Sequence, residues 1–254
     1  MKRFTSATIL VVGAIMAFRS AQAQPTFIQN DLYLGFENSS TPTNYIVNLG
    51  VASGIVGSSS VVDLTSDFSL SSFGTVYLTG FSANMGVVGA ASQFPGTYDI
   101  YTTILRSGGA GNAATPGSNL SGLSLNSSAI SLAESQLTGL TAPAAGSGVL
   151  DGSGSWSANV EPAQTSGSFY GNTGVNPSSP VVGGGILYED LWEQTASSSG
   201  PNAATYLGYF EMNLSGPSPV FTFTSAPEPG TATLAGIGGL SLLLLRRRFG
   251  RKNV

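Results

Sequence analysis

The chain has 254 residues, nine Lys and Arg against 13 Asp and Glu, and a formal net charge of −4. It contains neither histidine nor cysteine, which excludes Ser-His-Asp and Cys-His catalysis, HExxH zinc sites, ordinary zinc clusters and disulfide bonds. No Walker-type phosphate-binding loop occurs in the sequence, so P-loop nucleotide chemistry is not expected either.

The first 23 residues have the order of a secretory signal peptide. Lys2 and Arg3 precede an apolar stretch from Ala7 to Phe18, and Ala21 and Ala23 then form an A-x-A cleavage site. We therefore expect signal peptidase to cut after Ala23 and the chain to be exported.

The body that follows, residues 24 to 226, consists largely of short apolar segments separated by Gly, Ser, Asn and Pro. Segments rich in Val, Ile, Tyr and Phe with such boundaries are typical of strands. The predicted strands are Asp31 to Glu37, Asn44 to Gly50, Gly74 to Ser82, Met85 to Ser92, Tyr98 to Arg106, Gly185 to Thr195, Ala204 to Leu214 and Val220 to Ser225. Apolar and polar residues alternate in the last of these, so one face should pack and the other should meet water.

One stretch of the body favours a helix. From Leu120 to Leu140 apolar residues recur at steps near three, four and seven, which suits an amphipathic helix. Thr141 to Ser155 and Asn172 to Gly184 consist mainly of small and turn-forming residues and predict loops. No internal repeat is found, so a solenoid is not expected.

Carboxylates are the remaining candidates for a reactive site. Glu189, Asp190 and Glu193 cluster beside aromatic residues, as a glycoside hydrolase or a sugar-binding cleft requires. On a strand, however, Glu189 and Glu193 share one face and Asp190 points to the other. The alternative is that they are polar residues on the wet face of a strand, with Leu191 and Trp192 in or near the core.

Two further acidic groups have the composition of calcium ligands. Asp63 and Asp67 could bind calcium or cap a turn, and Asp151-Gly152-Ser153-Gly154 begins like a calcium loop but lacks its later acidic ligands. We predict neither a metal site nor a cofactor.

Aromatic residues offer a different kind of site. A flat platform for stacking sugars could be built from Tyr101, Trp156, Tyr170, Tyr188, Trp192 and Tyr206. Core or cross-strand packing is the alternative use of these side chains.

The C-terminus carries a third type of signal. Pro227-Glu228-Pro229-Gly230 precedes an uncharged segment from Thr231 to Leu245, which ends at Arg246, Arg247 and Arg248. This segment is shorter than the roughly 20 residues that span a bilayer comfortably, although arginine side chains can snorkel towards the headgroups. The positive-inside tendency predicts a cytoplasmic basic tail and a body on the opposite side of the membrane.

This order of elements resembles the PEP-CTERM sorting signal of Gram-negative bacteria, also catalogued as the ice-binding protein C-terminal domain. The resemblance covers about Ala226 to Lys252. It implies that a membrane enzyme, exosortase, recognises the chain near Pro227, Glu228 and Pro229, removes the tail and releases or transfers the body. These three residues are then substrate residues and not catalytic ones.

Three blocks of the body are similar to segments that recur in uncharacterised exported proteins with this signal. They are Asp31 to Phe36, Asn44 to Gly50 and Thr205 to Phe210. The similarity implies a β-rich domain and brings no known activity.

Separating the two ends from the body changes the charge. Residues 24 to 226 keep Arg106 as their one cation against twelve carboxylates, a net charge of −11. Binding to DNA or RNA requires Lys and Arg contacts to phosphates, so the sequence excludes it.

The sequence thus predicts a signal peptide (1–23), a β-rich exported body (24–226) and a PEP-CTERM signal (227–254). The expected fold class is mainly β: a single β-sandwich-like or β-rich domain with one short helix, flanked by the signal peptide and a C-terminal hydrophobic helix.

The leading functional hypothesis is a non-enzymatic structural or interaction protein. Its membrane-anchored precursor is processed by signal peptidase and exosortase and delivered to the cell surface, outer envelope or extracellular matrix. Exopolysaccharide is the partner that the resemblance implies. A secreted glycan-binding module is the alternative, followed by a carboxylate-based glycoside hydrolase.

Overall fold

The computed structural model describes residues 27–38, 43–58, 61–65, 83–94, 97–106, 127–161, 179–181, 186–197, 200–201, 204–213, 220–226 and 241. These residues form a mainly β structure, which confirms the predicted fold class at that level. The predicted signal peptide, the predicted strand Gly74 to Ser82 and the C-terminal signal apart from Ser241 lie outside them. None of the helices with described residues has the length and apolarity that crossing a membrane requires.

Eleven strands have described bounds. They are β1 (Asp31–Asn38), β2 (Asn44–Val51), β3 (Val61–Asp63), β4 (Ala83–Phe94), β5 (Thr97–Leu105), β6 (Ser147–Asp151), β7 (Ser179–Val181), β8 (Ile186–Ser197), β9 (Gly200–Pro201), β10 (Thr205–Asn213) and β11 (Val220–Ser225). Seven of them, β1, β2, β4, β5, β8, β10 and β11, match predicted strands to within two residues at either end.

The strands pair antiparallel in the order β3-β11-β10-β8-β5-β4-β1-β2-β6, with β7 beside β4 and β9 beside β8. Side chains from the two ends of this order belong to one apolar cluster: Tyr45 and Val47 of β2 join Phe221 and Phe223 of β11. The sheet therefore curls around a shared inner core.

Alternation along each strand separates the inner core from a second cluster on the outer face. On β1, Leu32, Leu34 and Phe36 belong to the inner core, whereas Tyr33 belongs to the outer cluster. All four are fully buried, so this part of the sheet is covered on both faces.

Helices cover the outer face of β1, β2, β4 and β5. Helix α1 (Ala52–Val56) follows β2, while α2 (Ser127–Leu137) and α3 (Ser155–Asn159) pack on the outer face with Ile130, Leu137 and Trp156 buried there. The described helix α2 lies inside the predicted helix Leu120 to Leu140, whose residues 120–126 are outside the described part.

Trp156 reaches the backbone of β1 because position 35 has no side chain. A Cβ added to Gly35 would lie 2.0 Å from Cδ2 of Trp156. The indole is fully buried and lies against β1, which fixes α3 to the sheet.

Two predicted loops contain strands. The sequence predicts a loop over Thr141 to Ser155, but β6 pairs with β2 there and Ser155 begins α3. The prediction over Asn172 to Gly184 is wrong for residues 179–181, where β7 pairs with β4. Both strands form by pairing with a neighbouring strand, so the fold overrides the small and turn-forming residues that surround their single valines.

Candidate functional site

A β-bulge in β10 brings two tyrosines to the same side of the sheet. The register of β10 against β8 shifts between Tyr206 and Gly208, and Gly208 has φ 143°, a backbone angle that residues with a side chain rarely adopt. A Cβ at this position would also lie 2.2 Å from the carbonyl oxygen of Thr224. The bulge interrupts the alternation, so Tyr206 and Tyr209 both lie beside the guanidinium of Arg106 on the outer face.

Arg106, which follows β5, packs against these two tyrosines. Its guanidinium carbon lies 4.2 Å from the ring centroid of Tyr209 and 5.9 Å from that of Tyr206. Its Nε donates to Oδ1 of Asp190 at 2.6 Å, and its terminal nitrogen donates to the Tyr206 hydroxyl. We name these four residues the Arg106 cluster. Its ion pair is buried, with Arg106 5% and Asp190 0% exposed.

The Tyr206 hydroxyl links the two charges of the cluster. Burial raises the pKa of Tyr206 to about 12, and the nearby Arg106 charge opposes part of that rise. The hydroxyl also hydrogen-bonds to Asp190, so it stays protonated at neutral pH and joins cation to carboxylate. The buried charges are thus paired and hydrogen-bonded, as burial requires.

Trp192 borders the Arg106 cluster. Its ring centroid lies 5.3 Å from that of Tyr206, and the residue is 8% exposed. Its Nε1–H is buried and has no hydrogen-bond partner among the residues that the structure describes; an unmade bond costs about 1–3 kcal/mol for a polar group of this kind. The indole is therefore an unused donor beside the cluster.

A row of partly accessible side chains extends from the cluster over β8, β10 and β11. In the register, Tyr209 stands between Asp190 of β8 and Thr224 of β11. The rings of Tyr188 and Tyr209 contact each other edge-on, with centroids 6.1 Å apart. We name this surface the tyrosine face and define it as Tyr188, Tyr206, Tyr209, Glu211, Thr222 and Thr224, all of intermediate exposure.

The three carboxylates predicted as a cluster serve different parts of the fold. Asp190 lies on the outer face with Arg106, whereas Glu193 lies on the other face and accepts from the Tyr101 hydroxyl at 2.9 Å, which confirms that the strand separates them. Burial raises the pKa of Glu193. The expectation of a wet face is wrong for Glu189 and Asp190, which are both fully buried.

Turn capping accounts for two of the predicted calcium ligands. Asp63 accepts from the backbone N–H of Thr65 at 2.9 Å, and this bond lowers the pKa of the Asp63 carboxyl group. Asp151 accepts from the N–H groups of Ser153 at 2.9 Å and Ser155 at 2.6 Å. Asp67 lies outside the described residues. Within the described ranges, no group of three or more acidic side chains could hold a metal ion.

The predicted aromatic platform does not form as a set of six. Tyr101, Trp156 and Trp192 are buried, and Tyr170 lies outside the described residues. Tyr188 and Tyr206 remain on the tyrosine face, where Tyr209 joins them. Sequence reasoning missed Tyr209 and Arg106 as members of this site; a glycine inside a strand pattern, Gly208, was the available signal of a bulge.

A separate pair of acids lies at the end of α3. Glu161 accepts from Nε1 of Trp156 at 2.9 Å and hydrogen-bonds to Glu37 of β1. Burial and Glu37 raise the pKa of Glu161 to about 9, with a smaller contribution from Glu189. With its pKa raised in this way, the Glu161 carboxyl group keeps its proton at neutral pH.

A cavity of about 310 Å³ opens where β1 begins. Its walls are formed by Asn30, Val51, Ala52, Ser53, Ala91 and Tyr101. Asn30 has φ 75°, in the left-handed region. Its N–H donates to the carbonyl of Ala90 at 2.9 Å and its carbonyl accepts from Ala52 at 2.8 Å, so the conformation serves the junction of β1, β4 and α1.

The predicted processing residues lie outside the described residues. They are Ala21 and Ala23 of the signal peptide, Pro227, Glu228 and Pro229 of the sorting motif, and Arg246, Arg247 and Arg248 of the membrane stop.

Comparison with known proteins finds no match: no protein-family model, no curated protein and no solved structure matches the chain.

Proposed function

We propose that this chain is an exported structural or interaction protein of the bacterial surface or extracellular matrix, sorted through its C-terminal signal. Signal peptidase removes residues 1–23, the apolar segment 231–245 holds the precursor in the inner membrane, and exosortase cuts near Pro227-Glu228-Pro229. The released or transferred body is a single β-rich domain that acts by contact and not by catalysis.

One observation carries this proposal: the order of Pro-Glu-Pro, uncharged segment and arginine cluster at the C-terminus. Charge supports it, because eight of the nine basic residues belong to the two ends and only Arg106 belongs to the body. Arg106 is itself buried in an ion pair. Basic residues are thus concentrated in the two terminal segments, where positive charge determines the orientation of a chain in the membrane.

The intact mass and cell fraction of the protein from its native host test this proposal. We expect a mature species without residues 1–23 and without Arg246 to Val254, recovered from the envelope or the medium. Replacing Pro227, Glu228 and Pro229 with alanine should retain the tail and keep the chain in the inner membrane.

The chain offers a matched control in a second P-x-P tripeptide upstream, Pro217-Ser218-Pro219. Its replacement with alanines should leave processing unchanged. A mature wild-type species that still carries Arg246 to Val254 would show that the tail is only an anchor.

Glycan binding is a second candidate function, and the tyrosine face is the observation that favours it. Tyrosine rings of intermediate exposure stand beside hydroxyl side chains on adjacent strands, a combination of stacking and hydrogen-bonding groups that suits sugars. A glycan array probed with the full-length chain tests this candidate, and uniformly absent binding would rule it out.

A further inference from the structure

We propose that the tyrosine face binds a neutral, hydroxyl-rich polysaccharide and discriminates against anionic ones. This inference rests on the second candidate function, glycan binding, and adds the chemical class of the ligand.

The shape and accessibility of the face provide the first step. Helices α2 and α3 pack on β1, β2, β4, β5 and β8, but Tyr188 of β8 and the outer-face residues Tyr206, Tyr209, Glu211, Thr222 and Thr224 keep intermediate exposure. Tyr188 and Tyr209 stand on neighbouring strands with ring centroids 6.1 Å apart. The Arg106 guanidinium covers one side of the Tyr209 ring, so the partly exposed Tyr188 ring is the apolar surface that we assign to the C–H side of a sugar.

The charges of the face provide the second step. Arg106 is the one basic residue between 24 and 226, but it is 5% exposed and its charge is matched by Asp190 at 2.6 Å. An incoming carboxylate or sulfate could not reach it without displacing Asp190. Glu211 lies on the face itself and would repel such a group, as would the net charge of −11 on the body. Neutral hydroxyl groups meet no such opposition.

The polar groups of the face provide the third step. Thr222 and Thr224 present hydroxyl groups on β11. Glu211 of β10 presents a carboxylate acceptor and pairs with Thr222 of β11 on one side and Tyr188 of β8 on the other. The hydroxyl groups of a neutral sugar can donate to these threonine and carboxylate oxygens and accept from the threonine hydroxyls.

Affinity electrophoresis at low salt of the mature protein recovered from its native host, without the basic ends, tests the specificity, with hydroxyethyl cellulose as neutral polymer and polygalacturonate as anionic polymer. We expect retardation by the neutral polymer and at least about tenfold weaker retardation by polygalacturonate, because charge repulsion is unscreened at low ionic strength. Glu211→Gln should strengthen binding of polygalacturonate more than binding of the neutral polymer.

Tyr188→Ala tests the location. We expect it to weaken binding of the neutral polymer about fivefold to tenfold through lost stacking. Phe27→Ala is the matched control. Phe27 is also a partly buried ring beside a tyrosine, with its centroid 5.1 Å from that of Tyr33, but it packs against the apolar cluster that α2 covers and not on the tyrosine face. It should leave binding unchanged, and far-UV circular dichroism should show both variants folded.

The outcomes distinguish the specificity for neutral polysaccharides from the glycan-binding candidate on which it rests. Stronger binding of polygalacturonate than of the neutral polymer, with or without added calcium, overturns the charge argument and leaves glycan binding intact. Binding that Tyr188→Ala and Phe27→Ala affect equally overturns the assignment to the tyrosine face. Absence of binding to both polymers overturns this inference, whereas the glycan-binding candidate is decided by the glycan array. The export proposal is decided separately, by the mass of the C-terminal tail.

Discussion

At the scale of single residues, Gly208 decides which side chains meet. Simple alternation would send Tyr206 and Tyr209 to opposite faces, because they are an odd number of positions apart. The bulge at Gly208 adds one residue to β10 and restores both to the face that holds Arg106. A backbone conformation thus creates the Arg106 cluster.

Replacing Gly208 with alanine should destabilise the fold by about 1–3 kcal/mol, the cost of a residue with a side chain in a disfavoured backbone region. The new Cβ would also meet the Thr224 carbonyl oxygen. Urea denaturation measures the change. Gly54→Ala is the control, since a Cβ at this helical position meets nothing within 4 Å, and it should be neutral or stabilising. Equal effects of the two substitutions would contradict the role of the bulge.

The buried ion pair leads to a second residue-scale prediction. Asp190→Asn leaves the buried Arg106 charge without its carboxylate and should cost about 3–5 kcal/mol of unfolding free energy. Asp63→Asn, at an exposed turn cap, should cost less than about 1 kcal/mol, because asparagine caps turns well.

The double variant Arg106→Met with Asp190→Leu should recover most of the stability lost in Asp190→Asn, since it removes both charges together. Urea denaturation of all three variants makes the comparison. A double variant no more stable than Asp190→Asn would mean that the hydrogen bonds and ring contacts of the cluster, and not only the neutralisation of one charge by the other, stabilise the fold.

At the scale of elements, α3 is attached to the sheet through Trp156 and Glu161. The indole lies against Gly35 of β1, and its N–H donates to the Glu161 carboxyl group at 2.9 Å. Glu161 also hydrogen-bonds to Glu37, with Glu189 of β8 adding repulsion. The contact between α3 and β1 thus includes a carboxyl group, that of Glu161, whose protonated form is favoured in the fold.

Stability should therefore fall as pH rises. The pKa of Glu161 is about 9 in the fold against an ordinary 4.5, so the protonated form favours folding. Its contribution is complete below about pH 4.5 and is lost as pH rises towards 9. Glu161→Gln, which keeps an acceptor for Trp156, should flatten this dependence. The free energy of urea unfolding between pH 5 and 9, followed by tryptophan fluorescence, measures it; an equal slope in the variant would contradict the assignment.

At the scale of the whole molecule, the charge of the body opposes folding. Residues 24–226 have a formal net charge of −11, and no disulfide braces them, because the chain has no cysteine. The curled sheet, with apolar clusters on both faces, holds these residues together.

Added salt should raise the melting temperature of the processed body. Raising ionic strength from about 0.01 M to about 0.15 M shortens the screening length from about 30 Å to about 8 Å, so repulsion between carboxylates weakens. Calorimetry in sodium chloride and in choline chloride should give the same increase, because screening does not depend on the cation. A rise confined to sodium would instead indicate specific ion binding.

Much of the fold was predictable because strand signals are local. Composition predicted a strand over Asp31 to Glu37, which the structure has as Asp31–Asn38, and composition with alternation predicted Val220–Ser225. β6 was not, since Ser147 to Asp151 has little strand propensity and forms its strand by pairing with β2. Of the candidate site, Tyr188 and Tyr206 were predicted as members of an aromatic platform. Arg106 and Tyr209 were not, because their positions beside these residues are set by pairing between strands far apart in the chain.

The sequence by itself determined the mainly β class, the exclusion of histidine and cysteine chemistry, the acidity of the body and the order of the C-terminal elements. These are properties of composition and of short periodic patterns. Only the tertiary structure decided that Arg106 is buried against Asp190 and that Tyr206 and Tyr209 share a face. The reason is that long-range pairing sets strand order, and one extra residue in β10, Leu207, which precedes Gly208, reverses the face of the side chains beyond it.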